Sequence, residues 1–280
     1  MAYAEVIGDP IAQSKSPVIH RYWLEQLGIS GDYVRTQVRA GELTDFFRDR
    51  RRDPEWRGCN VTIPHKEAVI PLLARVDQGA GSIGAVNCIV PQGPQLVGYN
   101  TDVDGVAAAL HGTELSGRKV ALIGAGGGAR AVVAYLSERH VGRITVVARN
   151  PARARVLREL GQNIELEAIS LEQGERAFEN AAAIINASSL GMAGADPMPH
   201  ALLDALRQHS AGATVFDLVT TPAETAFLSA GRAGGGRTVD GLTMLVGQAA
   251  RAFELFFGAP APAHDDRLRG LLAADRLDSA

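Results

Sequence analysis

A chain of 280 residues with 46% hydrophobic content can bury a large core, in one large domain or in two of ordinary size. Its 28 basic and 31 acidic residues leave a formal net charge of −3 and a pI near 6.2, which excludes the broad basic field that nucleic acid or an anionic membrane would need. No apolar run approaches the ~20 residues of a membrane span, and Met1 leads into a strand-like segment without a signal-peptide pattern, so the expected location is cytoplasmic.

In chain order, the N-terminal third alternates apolar strands with helical stretches. Strands are expected at Ala4–Ile7, Tyr33–Val38 and Gly58–Thr62, with helices over Pro17–Leu27, Glu42–Arg51 and Lys66–Leu73. The arginines Arg48, Arg50, Arg51 and Arg52 read as a solvated helix end. Ala85–Val90 and Gln95–Tyr99 read as paired strands around a turn at Gly93 and Pro94. A helix over Val106–Leu110 then leads into a second series, with strands at Lys119–Ile123, Arg143–Val147, Glu165–Ile169, Ala183–Asn186, Thr214–Asp217 and Thr238–Val239. A last amphipathic helix spans Leu242–Phe257. Alternating strands and helices predict an α/β fold with mostly parallel sheets covered on both faces.

Only three of the basic residues are lysines: Lys15, Lys66 and Lys119. Arginine keeps its proton in proteins whereas lysine can be tuned as an acid or base, so Lys66, at the end of Asn60-Val61-Thr62-Ile63-Pro64-His65-Lys66, is the first candidate for chemistry. Two cysteines, Cys59 and Cys88, form no paired metal motif, and seven scattered histidines contain no metal-binding pair, so no metal is expected.

The strand Lys119–Ile123 runs into Gly124-Ala125-Gly126-Gly127-Gly128-Ala129, followed by a helical stretch. This fits the G-x-G-x-x-A turn of dinucleotide sites: Gly124 permits the tight turn, Gly126 lets backbone approach a pyrophosphate, and the helix N-terminus supplies amide donors. The next strand ends Val147-Ala148-Arg149-Asn150-Pro151-Ala152-Arg153, without the carboxylate that would accept from the 2′-hydroxyl of NAD. Arg149 and Arg153 suit a 2′-phosphate, which predicts NADP; the alternative is that both are ordinary exposed residues at a helix start.

In the first series, Ser14 and Ser16 stand between a strand and the helix opened by Pro17, where Ser16 could cap the helix or hold a small anion. Asn60, Asn87 and Asp102 also follow strand ends, which in a doubly wound sheet open onto one crevice. Each could equally be a local turn residue.

These segments together resemble the shikimate/quinate dehydrogenase family over nearly the whole chain. The matching stretches are Ser14–His20, Asn60–Lys66, Gly84–Asn87, Gly98–Asp102, Gly124–Ala131, Asn186–Met192, Asp217–Thr225 and Asp240–Ala249. The resemblance implies a substrate and catalytic domain from residues 1–103 and 241–280, and a Rossmann-type NADP-binding domain over 104–240, with the active site in the cleft. It implies that Lys66 and Asp102 form the catalytic pair. Ser14 and Ser16 would hold the substrate carboxylate, and Asn60, Thr62, Asn87 and Gln248 its ring hydroxyls, with Asp102 beside the reacting one. Gly124, Ala125, Gly126, Gly127, Gly128, Arg149, Arg153, Ser188, Leu218 and Gly241 fall on cofactor positions, the nicotinamide lying against Ser188–Met192.

The activity so implied is NADP-linked interconversion of 3-dehydroshikimate and shikimate, by a monomer or homodimer. A quinate or quinate/shikimate dehydrogenase is the alternative within the family, and a non-catalytic ligand-sensing relative lies outside the enzyme class. Three positions depart from the family pattern: Arg21 replaces Asn, Cys88 replaces Thr, and Thr220 replaces a tyrosine that touches substrate. The last should weaken or broaden ring binding without removing catalysis, because it shortens the reach of one hydrogen bond and leaves space.

Overall fold

The strand β1 (Ala2–Gly8) is apolar at nearly every inward and outward position and lies in parallel between β2 (Gly31–Gln37) and β3 (Trp56–Val61). Burial on both faces is what permits so continuous an apolar run. The crossover helix α1 (Ser16–Leu27) starts with proline in its first turn and stops at Gly28, whose φ of 62° is the left-handed C-cap that glycine adopts most readily. The computed structural model describes residues 1–161, 163–263 and 265–274.

After α2 (Leu43–Arg50), β3, β4 (Arg75–Val76) and α3 (Gln78–Ile83), the chain forms the antiparallel hairpin of β5 (Cys88–Gln92) and β6 (Gln95–Tyr99). The six described strands are ordered β2-β1-β3-β5-β6-β4, so this sheet is mixed, its β3–β5 and β5–β6 pairs antiparallel and the others parallel.

Two expectations fail here. Residues 66–73 form turns and a short 3-10 helix (Ile70–Leu72) in place of an α-helix; Pro71, lacking an N–H, sits inside it. The arginine cluster is not simply a solvated helix end either. Arg50 donates from Nε to Oε1 of the fully buried Glu5 at 2.7 Å, and Arg51 donates to the Leu72 carbonyl at 3.1 Å. A buried carboxylate needs such a partner, so Arg50 is a structural tie between α2 and β1.

The second series opens with α4 (Asp102–Ala109). It continues through β7 (Lys119–Ile123), α5 (Gly127–Glu138), β8 (Arg143–Val147), α6 (Pro151–Ala154) and β9 (Glu165–Ile169). There follow β10 (Ala181–Asn186), α7 (His200–His209), β11 (Thr214–Asp217), α8 (Ala226–Ala233) and β12 (Arg237–Val239). All pairs in this sheet are parallel, in the order β12-β11-β10-β7-β8-β9. The chain leaves β7 in one direction toward β8 and β9 and later returns to its other side with β10. A doubly wound sheet opens its ligand crevice at such a reversal. Alternate strand residues feed two apolar layers: Val120 and Leu122 pack with α5 on one face, and Ala121 and Ile123 pack with α7 and α8 on the other.

The chain divides into two units, Met1–Thr101 with Gln248–Ala280, and Asp102–Gly247. The expected divisions, after residues 103 and 240, differ because of the long helix α9 (Gly241–Phe257), after which only α10 (Asp266–Ala273) follows among the described residues. The first residues of α9 pack on α4: a Cβ on Gly247 would lie 2.8 Å from Ala108 Cβ. The second half of α9 belongs with the first unit, where Phe253 and Phe256 join His20, Trp23 and Tyr33 in one aromatic cluster.

Candidate functional site

In the first unit a chain of polar side chains is buried at the ends of β3, β5 and β6. Tyr33 Oη donates to Asn60 Oδ1 at 2.7 Å, and Asn60 Nδ2 donates to the Asn87 carbonyl at 3.1 Å. Asn87 Oδ1 accepts from the Thr101 amide at 2.7 Å, Asn87 Nδ2 donates to Thr101 Oγ1 at 3.1 Å, and Thr101 Oγ1 donates to Gln248 Oε1 at 3.4 Å. Buried amides that lack partners are costly, so these bonds fix each carboxamide's orientation. Thr62 follows β3, its amide bonded to the Ile7 carbonyl at 2.9 Å.

Lys66 is half-buried, four residues beyond Thr62. Its carbonyl accepts from Val86 N at 2.8 Å, tying the end of Asn60–Lys66 to the segment that carries Asn87. Fully buried His65 anchors the same turn, with Nε2 2.6 Å from the Val38 carbonyl. The other lysines have structural roles: Lys15 Nζ donates to the Leu272 carbonyl, and Lys119 Nζ to the carbonyls of Arg176 and Glu179.

Ser14 and Ser16 come together, their hydroxyls 3.3 Å apart. Of the two readings for Ser16, the cap is not what forms. The N-cap of α1 is Lys15, which makes no side-chain cap bond, and Ser16 is already helical. Asp102, nearly buried, is the first residue of α4, where the helix dipole favours a carboxylate. Of the departures from the family pattern, Arg21 pairs with Asp32 at 2.7 Å and Cys88 is buried in the core, both structural placements.

Fully buried His20 stacks on Tyr33, centroids 4.0 Å apart and rings 3° from parallel. Neither ring nitrogen has a hydrogen-bond partner, and burial lowers its pKa from 6.5 to about 3. Its imidazole is therefore neutral and acts as an aromatic plate behind Tyr33.

In the second unit a groove of about 340 Å³ opens at the carboxyl ends of β7, β8 and β10. Gly124, Ala125, Gly126, Arg149 and Ser188, all named above as candidate cofactor positions, line it, and so do Asn150, Ser189, Leu190 and Leu171. The glycines divide by function. Gly124 has φ 105° and would place a Cβ 2.8 Å from the Ala187 carbonyl oxygen, so only glycine fits this turn. Cβ atoms on Gly126 and Gly127 would meet nothing within 4 Å, which leaves open space before the N-terminus of α5. Gly126, the N-cap, supplies no side-chain acceptor, so the first amides of α5 are donors for a ligand. Amide donors with an adjacent guanidinium match a phosphorylated dinucleotide chemically.

Gly128, Leu218 and Gly241 are not among the residues that line the groove. A Cβ on Gly128 would be 2.8 Å from Leu218 Cδ2, and one on Gly241 would be 2.6 Å from the Leu218 carbonyl oxygen. Gly128 thus packs the start of α5 against the Leu218 side chain, and Gly241 packs the start of α9 against the 218–219 backbone. The side chain of Arg153 lies outside the described residues.

The loop after β10 is held from its base. Asn186 Oδ1 accepts from both N and Oγ of Ser188, at 3.1 and 2.6 Å, and Leu190 N donates to Ser188 Oγ at 3.2 Å. Asn186 Nδ2 in turn donates to Asp217 Oδ1 at 2.9 Å, while Thr225 Oγ1 donates to Asp217 Oδ2 at 2.7 Å. Burial pushes the Asp217 carboxyl up to about 6, against the opposing pull of those donors.

Sequence reasoning missed Tyr33, Thr101 and Asn150 as members of these arrangements. Thr101 and Asn150 adjoin residues already singled out, and a polar run at a strand end was the available signal. Tyr33 gave none, since its partner Asn60 is 27 positions away. Among the described residues no group of three or more His, Cys, Asp or Glu could hold a metal ion, and no helix is long and apolar enough to cross a membrane.

Three family models match the chain: "Shikimate dehydrogenase substrate binding domain" over residues 6–89, "Shikimate / quinate 5-dehydrogenase" over 106–195 and "Shikimate 5'-dehydrogenase C-terminal domain" over 241–267. A relative from Sphingopyxis alaskensis named shikimate dehydrogenase (NADP(+)) is 48% identical over 276 residues, 97% of each chain. Among solved structures, shikimate 5-dehydrogenase from Listeria monocytogenes, in complex with shikimate and NAD, aligns with a TM-score of 0.87 at 27% identity, covering 97% of this chain and 96% of the other. The ligand-free 5-ketofructose reductase of a Gluconobacter strain aligns at 0.83 and 28% identity, covering 97% of both. With such identity across nearly its full length, the chain belongs to the shikimate dehydrogenase family.

Proposed function

We propose that this protein is an NADP-dependent shikimate dehydrogenase, reversibly reducing 3-dehydroshikimate to shikimate on the route to chorismate and the aromatic amino acids. The observation that carries the reading is the near end-to-end match, at 48% identity, to a relative of that name. The groove with an arginine in place of a ribose-binding carboxylate supports the choice of NADP. In this reading residues 1–103 and 241–280 serve the substrate and 104–240 the cofactor.

NADPH, when bound, supplies the hydride. Delivering the proton falls to this chain, and the Lys66 ammonium donates it to the substrate carbonyl oxygen, where negative charge builds during reduction. Asp102, the second member of the catalytic pair that the resemblance implies, accepts from the reacting hydroxyl. Ser14 and Ser16, their hydroxyls already adjacent, take the substrate carboxylate. Asn60, Thr62, Asn87 and Gln248 read the ring hydroxyls. For Asn60, Tyr33 occupies one oxygen lone pair and the Asn87 carbonyl one N–H, which leaves a second N–H to offer the ring. Gly124 to Gly128 accommodate the pyrophosphate, Arg149 and Arg153 the 2′-phosphate, and Ser188 to Met192 the nicotinamide, with Leu218 and Gly241 shaping the wall behind.

Steady-state absorbance at the NADPH band, with shikimate and quinate each paired with NADP⁺ and NAD⁺, tests this. The expected result is a kcat/KM at least ~10-fold higher for shikimate with NADP⁺ than for the other pairs, the size of a good discriminating interaction. Faster oxidation of quinate, or preference for NAD⁺, would instead support the quinate dehydrogenase reading that Thr220 leaves open.

A further inference from the structure

Arg149 carries a partner that no cofactor motif announces. Its Nη1 lies 3.5 Å from Oδ2 of Asp196, and both side chains are largely exposed, at 71% and 77%. Asp196 stands 47 positions downstream in sequence, at the far end of the loop that begins with Ser188. That loop is built to hold it. Gly191 N donates to the Asp196 carbonyl at 2.9 Å, Ala195 N to the Met192 carbonyl at 3.0 Å, and Ala193 N to the Thr221 carbonyl at 2.9 Å. At the base, Asn186 fixes Ser188 and donates to the Leu190 carbonyl. The carboxylate thus reaches Arg149 from a loop secured to the rest of its unit.

We infer that Asp196 is a specificity-determining residue for the cofactor, a counter-charge on Arg149 that weakens NADP binding and narrows the preference over NAD. The inference rests on the proposed role of Arg149 as a 2′-phosphate ligand. A 2′-phosphate carries between one and two negative charges near pH 7. To engage the Arg149 guanidinium it must displace Asp196 or share the guanidinium with it, and either costs affinity through lost pairing or like-charge repulsion. The 2′-hydroxyl of NAD carries no charge and meets no such opposition. It also finds in Asp196 the carboxylate acceptor that the end of β8 lacks. The carboxylate on this side thus comes from the loop and not from the end of β8, and it opposes the arginine instead of replacing it.

Because the pair is exposed, the effect is modest, about two- to fivefold in affinity at low salt. Isothermal titration calorimetry of the full chain with NADP⁺ and with NAD⁺ measures it without catalysis. Asp196→Asn should tighten NADP⁺ binding by that factor while NAD⁺ binding stays level or weakens. The gain should shrink at ~1 M salt, where the screening length falls to about 3 Å. Arg149→Gln, run in parallel, should weaken NADP⁺ selectively. If Arg149→Gln weakens NADP⁺ but Asp196→Asn binds it no tighter than the native chain, the inference is overturned and the Arg149 reading stands. If Arg149→Gln leaves NADP⁺ binding untouched, the phosphate reading of Arg149 fails and the inference falls with it. Unfolding temperatures equal to that of the native chain confirm that neither exposed substitution acts through folding.

Discussion

Asn60 and Arg149 each stand at or just beyond the end of a buried strand, yet they are held in opposite ways. The Asn60 carboxamide is buried and fixed from two sides by Tyr33 and Asn87, within a network that continues to Thr101 and Gln248. Arg149 is exposed and rests on a single 3.5 Å ion pair beside a groove made mostly of backbone and small side chains. The first arrangement fixes a stereospecific pattern of donors and acceptors, as recognition of a ring with several hydroxyls requires. The second offers an open groove and free amide donors at a helix start, which under the proposed function would accept a pyrophosphate and leave the choice between cofactors to a few exposed charges. Under the proposed function, specificity in the first unit would reside in geometry and in the second in electrostatics, so the two should respond differently to substitution and salt.

The sharpest break of that comparison is at Lys66, the one residue of the first unit assigned chemistry in addition to recognition. Lys66→Ala should lower turnover by ~10²- to 10⁴-fold, the usual contribution of a positioned acid or base, while calorimetric affinities for shikimate and NADP⁺ stay within a few-fold of native. Near-normal turnover would remove Lys66 from the mechanism. A loss of shikimate affinity as large as the loss of turnover would make it a binding residue instead.

A smaller effect tests whether the first unit's fixity depends on its aromatic backing. His20 has its pKa depressed in the folded state, from 6.5 to about 3, so the folded protein keeps the ring neutral where the unfolded chain takes up a proton. The stability is fully present above pH 6.5 and is lost as pH falls from 6.5 toward 3, by about 1.4 kcal/mol per pH unit. Urea unfolding between pH 7 and pH 4.5 should show this slope superimposed on that of the other groups, and His20→Phe should reduce it. An unchanged slope in the variant would mean that His20 does not titrate as its burial implies. The groove of the second unit, set by backbone and exposed charge, should answer to salt.

The smallest expected effect lies at Thr220, half-buried beside the Thr221 carbonyl that holds the Ser188 loop. Thr220→Tyr restores the phenol usual in the family and should tighten shikimate binding about two- to tenfold, the worth of one added hydrogen bond. No change in affinity would show that recognition of the ring is complete without it.

Much of this was legible in the sequence, for identifiable reasons. Buried parallel strands must be largely apolar runs, so β7, β8 and β11 fell where their residues placed them. The glycine turn after β7 and the missing carboxylate after β8 could be read because their chemistry is local. By contrast α3, with two glycines in six residues, carries too little periodicity to register, and the two-residue β4 exists only by pairing with β6. The helix expected over 66–73 failed because periodicity outweighed Pro71 in the reading. Tyr33 and Asp196 could not be found, since their importance lies in partners 27 and 47 positions away along the chain.

By itself, then, the sequence determined which residue types could do chemistry and which turns could admit a phosphate, because glycine conformation, strand burial and lysine titration are properties of short segments. Tertiary structure decided what constrains those residues: Tyr33 turning the Asn60 amide, Asn186 and Asp217 holding the Ser188 loop, and Asp196 set against Arg149. Side-chain orientation and charge opposition arise from distances across the fold, and those exist only after the chain has closed on itself.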